Sequence, residues 1–337
     1  MPHLARTFCC YGVLLVLLPL QALADAPLEI VPARGNVRQL RDAAATDSVL
    51  DHWHDQLYLG LESLIKHTDS YYADDANAAL QTPGSPFRIT LQTEVLRHGD
   101  SSTSATPQVD VDLHLQMPNL QRKLQLFITS DNVNESSDRQ NGGLNSLRAG
   151  VRVTPLDFVD FDLGVRADVP PVAFASLRWQ KKFDLAGWRL EPFSKAYVET
   201  KRGVGWANGV NLERWFDHWV VRSASYGNWQ RDNHGTEWTQ AFIVARAREV
   251  IRFGRYSDVL GGRDLARGIG FEGLVSGDST DKMQRYELSM FYKQPTAHRW
   301  LYWQVTPFVR WERDYGWHAD PGIRISLDAL FWDRASR

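Results

Sequence analysis

Apolar and polar residues alternate one for one over most of this chain. In residues 88–96, Ile89, Leu91 and Val95 alternate with Arg88, Gln92 and Glu94; in residues 109–117, Val109, Val111, Leu113, Leu115 and Met117 alternate with Asp110, Asp112, His114 and Gln116. The pattern returns as Leu147, Val151 and Val153 against Arg148 and Arg152, and as Val159, Phe161, Leu163 and Val165 against Asp160, Asp162 and Arg166. Near the end, Leu301, Trp303, Val305, Val309 and Trp311 oppose Tyr302, Gln304, Thr306 and Arg310, and Ile323, Ile325, Leu327, Ala329 and Phe331 oppose Arg324, Ser326 and Asp328. A period of two puts each set on its own face of a β-strand, whereas a helix would carry charge on every side. About 14 such strands fit between Phe87 and Trp332. Twelve or 16 stay open, because residues 251–256 read either as a strand or as the tail of the one before. Alternation blurs at residues 219–222 and 238–246, which predicts bulges or strands reaching beyond a membrane.

Before Phe87 the period is different. Leu50, Trp53, Leu57, Leu61, Leu64 and Ile65 recur at helical spacing behind Ser48, a residue suited to an N-cap. The spacing predicts one amphipathic helix over residues 48–67. A polar, turn-rich stretch follows, ending in Pro83, Gly84, Ser85 and Pro86. Residues 1–24 read as a secretory leader: Arg6, an apolar run from Tyr11 to Leu20, and small residues Ala22 and Ala24 flanking Leu23. The mature chain is expected to begin near Asp25. Both cysteines, Cys9 and Cys10, lie inside this leader, so the mature chain has no disulfide, thiolate metal site or cysteine nucleophile.

Composition becomes informative only against this pattern. Mean hydropathy is −0.37, a value of soluble proteins, yet aromatics make up 12% of the residues and 13 of them are Trp. A transmembrane barrel reconciles the two, since each strand alternates lipid-facing apolar residues with lumen-facing polar ones. Trp188, Trp215, Trp219, Trp229, Trp238, Trp300, Trp311 and Trp317 fall near expected strand ends, where interfacial girdles would lie. A soluble β-sandwich would also charge one strand face, but the even hairpin spacing shows no blade repeat. The expected fold is all-β: a transmembrane antiparallel barrel over residues 86–332, a periplasmic helical segment or plug over 25–85, and a tail over 333–337.

The segments from Val109 to Ile128, Leu156 to Val165, Trp188 to Glu199 with Glu191, Pro192 and Phe193, and Trp300 to Trp311 with Thr306, Pro307 and Phe308 resemble a group of uncharacterised proteobacterial outer-membrane β-barrel proteins. The resemblance covers most of the mature chain. It implies the outer membrane of a Gram-negative cell and carries over no site. The strand ending at Phe331 and Trp332 resembles a barrel-assembly signal, although Asp333 to Arg337 extend past it.

The polar face defines the candidate chemistry. Arg88, Glu94, Asp110, Asp112, Arg148, Arg152, Asp160, Asp162, Arg166, Lys195, Glu199, Arg310 and Arg324 are expected to line the lumen, with Arg178 beside them. Mixed signs suit an ion-pair ladder or a weakly selective pore equally. The function expected first is a passive channel for small solutes. A closed structural or assembly barrel with an envelope partner is the alternative, and an outer-membrane hydrolase is third. For a hydrolase, His234 beside Asp232, His318 near Asp314 and Asp320, and His114 beside Asp112 supply candidate bases, in no hydrolase motif. No metal or cofactor is expected: Asp69, Asp74 and Asp75 complete no calcium loop, and His52 and His54, two apart on a helix, point to different sides and read as solvated surface. The expected partners are outer-membrane lipids, the barrel-assembly machinery and a periplasmic partner of the helix. That helix must bury its stripe at the barrel mouth, in the lumen or on such a partner, its own barrel being the first choice. A net charge of −2 and the lack of basic clusters speak against nucleic acid.

Overall fold

The computed structural model describes residues 49–71, 87–99, 102–115, 125–130, 147–232, 235–251, 264–280, 282–298 and 300–331. A helix, α1 (Val49–Tyr71), precedes the strands β1 (Phe87–Arg97), β2 (Thr103–Leu115), β3 (Gln125–Ser130), β4 (Leu147–Leu156), β5 (Val159–Arg166), β6 (Val172–Gln180) and the three-residue β7 (Phe183–Leu185). Then follow β8 (Trp188–Glu199), β9 (Gly203–Phe216), β10 (Trp219–Gln230), β11 (Thr236–Ile251), β12 (Asp264–Asp278), β13 (Lys282–Pro295), β14 (Leu301–Glu312) and β15 (Ala319–Phe331).

Every neighbour in the sheet is antiparallel, and β1 pairs with both β2 and β15, Phe87 facing Phe331 and Glu94 facing Arg324. β6 pairs with β5 on one side and β8 on the other, while β7 continues the line of β6 along the start of β8. The strands therefore close into a nearly complete ring of fourteen, in which every strand of the ring has a neighbour on both sides. The ring of fourteen, rather than 12 or 16, returns the start of β1 and the end of β15 to the same end; residue 251 ends β11, and residues 252–256 of the stretch left open from sequence lie outside the described residues. The blurred stretches at 219–222 and 238–246 are regularly paired; the register shifts instead at residues 247–250.

Pairing fixes which face is which. Leu91, Leu163, Leu177, Phe242, Phe271, Leu288 and Ile325 share one register face and are all exposed, whereas their strand neighbours of opposite parity carry the charges. An apolar outer wall around a closed hydrogen-bonded ring is the one β arrangement that leaves no backbone group unsatisfied in lipid. Trp179, Trp219 and Tyr292 stand on the outer wall near the end that holds the chain termini of the ring, and Trp206, Trp229 and Tyr286 near the other, so two aromatic girdles bound it. Trp215 is a correction: it faces inward, its Nε1 donating to Glu213 at 2.7 Å.

At the far end, in the β5–β6 turn, Asp168 accepts the Val169 N–H at 2.9 Å and Lys201 Nζ at 3.3 Å. The backbone donor first, then Lys201, hold its carboxyl below the usual aspartate value. This contribution is present at neutral pH and fades as pH falls through the lowered value.

α1 docks on its own barrel, on the outer wall rather than in the lumen. Tyr58 joins Phe87, Leu113 and Phe331, with Leu61, Ile89, Val111, Ile128 and Ala329 packed around them, and all the strand residues of this cluster belong to the outward register. His54 Nε2 lies 2.9 Å from the Leu330 carbonyl, and its ring stacks between Trp300 at 4.5 Å and Phe331 at 4.6 Å. Asp51 accepts Trp300 Nε1 at 2.7 Å and lies 3.1 Å from His298 Nδ1. The docked stripe is thus His54, Tyr58, Leu61 and Ile65, a different one from Trp53, Leu57, Leu61 and Leu64. His54, read from sequence as solvated, is 2% exposed, because a ring nitrogen that finds a carbonyl and two aromatic faces loses little by leaving water. His54→Ala is expected to weaken docking by about 1–3 kcal/mol and to open α1 to protease while the barrel stays resistant, which limited proteolysis in detergent checks.

Candidate functional site: the charged barrel interior

The structure places Arg88, Glu94, Asp110, Asp112, Arg148, Arg152, Asp160, Asp162, Arg166, Lys195, Glu199, Arg310 and Arg324 on the inward register face, through strands β1, β2, β4, β5, β8, β14 and β15. Of Asp112 only the position, opposite Arg88, is described. Most of the others fall into two ion-paired clusters.

The first spans the seam where the ring closes. Arg324 donates from Nε and Nη2 to Glu94 Oε2 at 3.0 and 2.8 Å, and from Nη2 to Glu287 Oε1 at 3.0 Å. Arg310 reaches Glu94 Oε1 at 2.8 Å and donates from Nε to Glu287 Oε2 at 3.1 Å. Arg285 also donates to Glu287. One carboxylate therefore holds three guanidiniums. One tier closer to the termini, Lys293 pairs with Asp328, which also accepts Thr90 Oγ1 at 2.9 Å.

The second cluster lies across the barrel. Arg152 grips Asp162 with two bonds of 2.7 and 3.0 Å, the fork geometry that makes such pairs strong. Glu199 accepts from Arg166 at 3.0 Å, Arg148 at 3.3 Å and Gln230 at 3.4 Å. Sequence reading missed Glu213 with Arg222, and also Arg285, Glu287 and Lys293; the parity of β13 could have supplied the last three.

Beneath these charges is a floor of rings. Phe127, Phe174, Phe193, Tyr197, Phe291 and Phe308 face inward, each directly across the ladder from a glycine: Gly150, Gly164, Gly209, Gly205, Gly270 and Gly322. Each ring lies over the space a Cβ would need, with ring atoms 2.2–3.0 Å from that point. Cations sit above five of the rings: Arg152 over Phe127 at 5.3 Å, Arg148 over Phe174 at 5.0 Å, Arg178 over Phe193 at 4.7 Å, Lys195 over Tyr197 at 5.7 Å, and Arg310 and Arg324 over Phe308 at 4.9 and 4.8 Å. Each such contact adds about 0.5–1 kcal/mol and fixes the height of the guanidinium above the wall.

Among the hydrolase candidates, Asp320 neighbours His98 rather than His318 as its base. His98 Nδ1 stands 3.7 Å from the fully buried Asp320, and Nε2 3.2 Å from Ser104 Oγ. The order is that of a serine hydrolase relay, but the histidine–aspartate distance exceeds a hydrogen bond, so the three side chains are neighbours at the rim without a continuous relay. His234, Asp74 and Asp75 lie outside the described residues, as does the side chain of His114. Among the described residues no three His, Cys, Asp or Glu converge on a metal position.

No protein-family model and no curated protein matches the sequence. Solved structures do. The chain itself is an antiparallel β-barrel with an apolar outer wall. A loop-deletion mutant of OmpT, an outer membrane protein of Vibrio cholerae, aligns at TM-score 0.42 and 11% identity over 74% of this chain and 100% of its own. OprB of Pseudomonas putida aligns at TM-score 0.43 and 10% identity, over 73% and 92%. The KdgM porin, solved with oligogalacturonate, aligns at TM-score 0.33 and 7% identity, over 72% and 98%. At this distance the fold of the chain rests on its own closed ring and apolar wall.

Proposed function

We propose that this chain is a passive channel of the outer membrane, taking small solutes through the charged interior of the barrel without a cofactor. The observation that carries it is the convergence of carboxylates and guanidiniums from seven strands on one inner face, held in place by mutual pairing. Balanced signs make the path weakly selective between cations and anions. The same reading includes export by the leader at 1–24, insertion by the barrel-assembly machinery, and lipid around the outer wall.

A closed structural barrel is the second reading, and one observation favours it: Arg285, Glu287 and Arg310 are only 5–6% exposed, so the interior is narrow at the seam cluster. Planar-bilayer recording of the full mature chain decides. Steady unit conductance with little ion preference is expected of the channel, and silent membranes containing folded protein would sink it. In the channel, Arg324→Ala is expected to raise unit conductance and shift preference toward cations, because it removes a positive charge and bulk from the seam cluster.

A further inference from the structure

Helix α1 presents three stripes, of which docking uses one. His54, Tyr58, Leu61 and Ile65 lie on the barrel. His52, Gln56, Ser63 and Ser70, four and seven apart, form an exposed and mainly polar stripe, flanked by the Glu62–Lys66 pair at 2.7 Å and interrupted by the exposed Val49 and Leu59. Leu50, Trp53, Leu57 and Leu64, three, four and seven apart, form the third. These four are 52–63% exposed, a run of large apolar side chains that water would disfavour by about 25 cal/mol for every Å² left wet.

The path of the helix says what covers that stripe. From His54 against Trp300 and Leu330 to Tyr58 in the cluster with Leu113, α1 runs across the strands, around the outside of the rim where the ring's chain ends lie. One flank therefore faces the middle of the barrel wall and the other faces away. Asp51, on the polar side of the docked stripe, bonds to His298 and Trp300 in the β13–β14 turn, beyond the strand ends. The Asp51 flank is thus the outer one, the polar stripe faces away from the barrel, and the apolar flank points along the wall toward Leu91, Ile325 and Leu327, which are themselves exposed and apolar.

We infer that α1 is an interfacial anchor whose Leu50, Trp53, Leu57 and Leu64 are immersed among the acyl chains of the leaflet at this rim. The inference rests on the membrane reading of the barrel. The stripe prolongs the lipid-facing wall sideways, Trp53 joins the girdle of Trp179, Trp219 and Tyr292 at the same end, and the polar flank meets headgroups and water.

Because both cysteines precede residue 25, single-cysteine variants of the mature chain can be labelled with bimane and reconstituted in vesicles of brominated phosphatidylcholine. The variants are Leu57→Cys and Leu64→Cys on the apolar flank, Gln56→Cys and Ser63→Cys on the polar flank, and Leu288→Cys on the far barrel wall as reference. Quenching at 57 and 64 comparable to that at 288, with little at 56 and 63, is expected. Equal, weak quenching at all four helix positions beside strong quenching at 288 would overturn the anchor alone. No quenching at 288 either would overturn the membrane reading, and the anchor with it.

Discussion

Gly164→Val is expected to prevent formation of the barrel. Gly164 faces Gly150 across the β4–β5 ladder, and the two strands approach so closely that a Cβ on Gly164 would stand 2.3 Å from the Ala149 carbonyl oxygen and 2.9 Å from the Phe174 ring. The ring could turn away, but the carbonyl belongs to the backbone and cannot move without breaking the ladder. Overpacking of this kind costs about 1–3 kcal/mol where side chains can yield, and here the obstacle is the sheet itself. Alanine is expected to lower the urea midpoint, and valine to abolish the heat-modifiable folded band on gels. A Gly164→Val protein with the parent's midpoint would show that the strands are farther apart and the ring does not lie over this position.

Glu287→Leu is expected to cost about 3–5 kcal/mol, the scale for removing one partner of a buried ion cluster. Glu287 is the shared acceptor for Arg285, Arg310 and Arg324, so its loss leaves three cations facing one another, with Glu94 and Glu312 still beside Arg310 and Asp320 across the ladder from it. Glu287→Gln keeps an acceptor and should cost less. The double variant Glu287→Leu with Arg310→Leu should recover part of the loss, since it removes a repelling charge. Denaturant titration of the refolded proteins measures all three, and a Glu287→Leu midpoint equal to the parent's would mean that water, not Glu287, carries those cations.

The strands and their faces were legible because a spanning strand has one apolar and one polar side, and the thirteen residues from Arg88 to Arg324 grouped by parity share the register face opposite the exposed apolar one. Which of them meet was not legible. Glu94 and Arg324 lie 230 residues apart and become neighbours only when the strand count makes β15 close on β1. The ring-over-glycine pairs were hidden for the same reason, since Phe174 and Gly164 pair only once register is known. The docked stripe of α1 was missed because hydropathy favours Trp53 and Leu57 over His54 and Tyr58; on a helix between protein, lipid and water, the apolar stripe need not be the one that packs on protein.

The seat of α1 also sets an order of events. Its contacts come from both extremes of the barrel, Phe87 and Leu113 at the start and Trp300, Leu330 and Phe331 at the end, so no docking site exists until the first and last strands have zipped. The helix, which precedes every strand in the chain, is therefore last to find its place. It then fastens the one hairpin-less junction of the ring, and its shielding from protease becomes a timer for completed biogenesis.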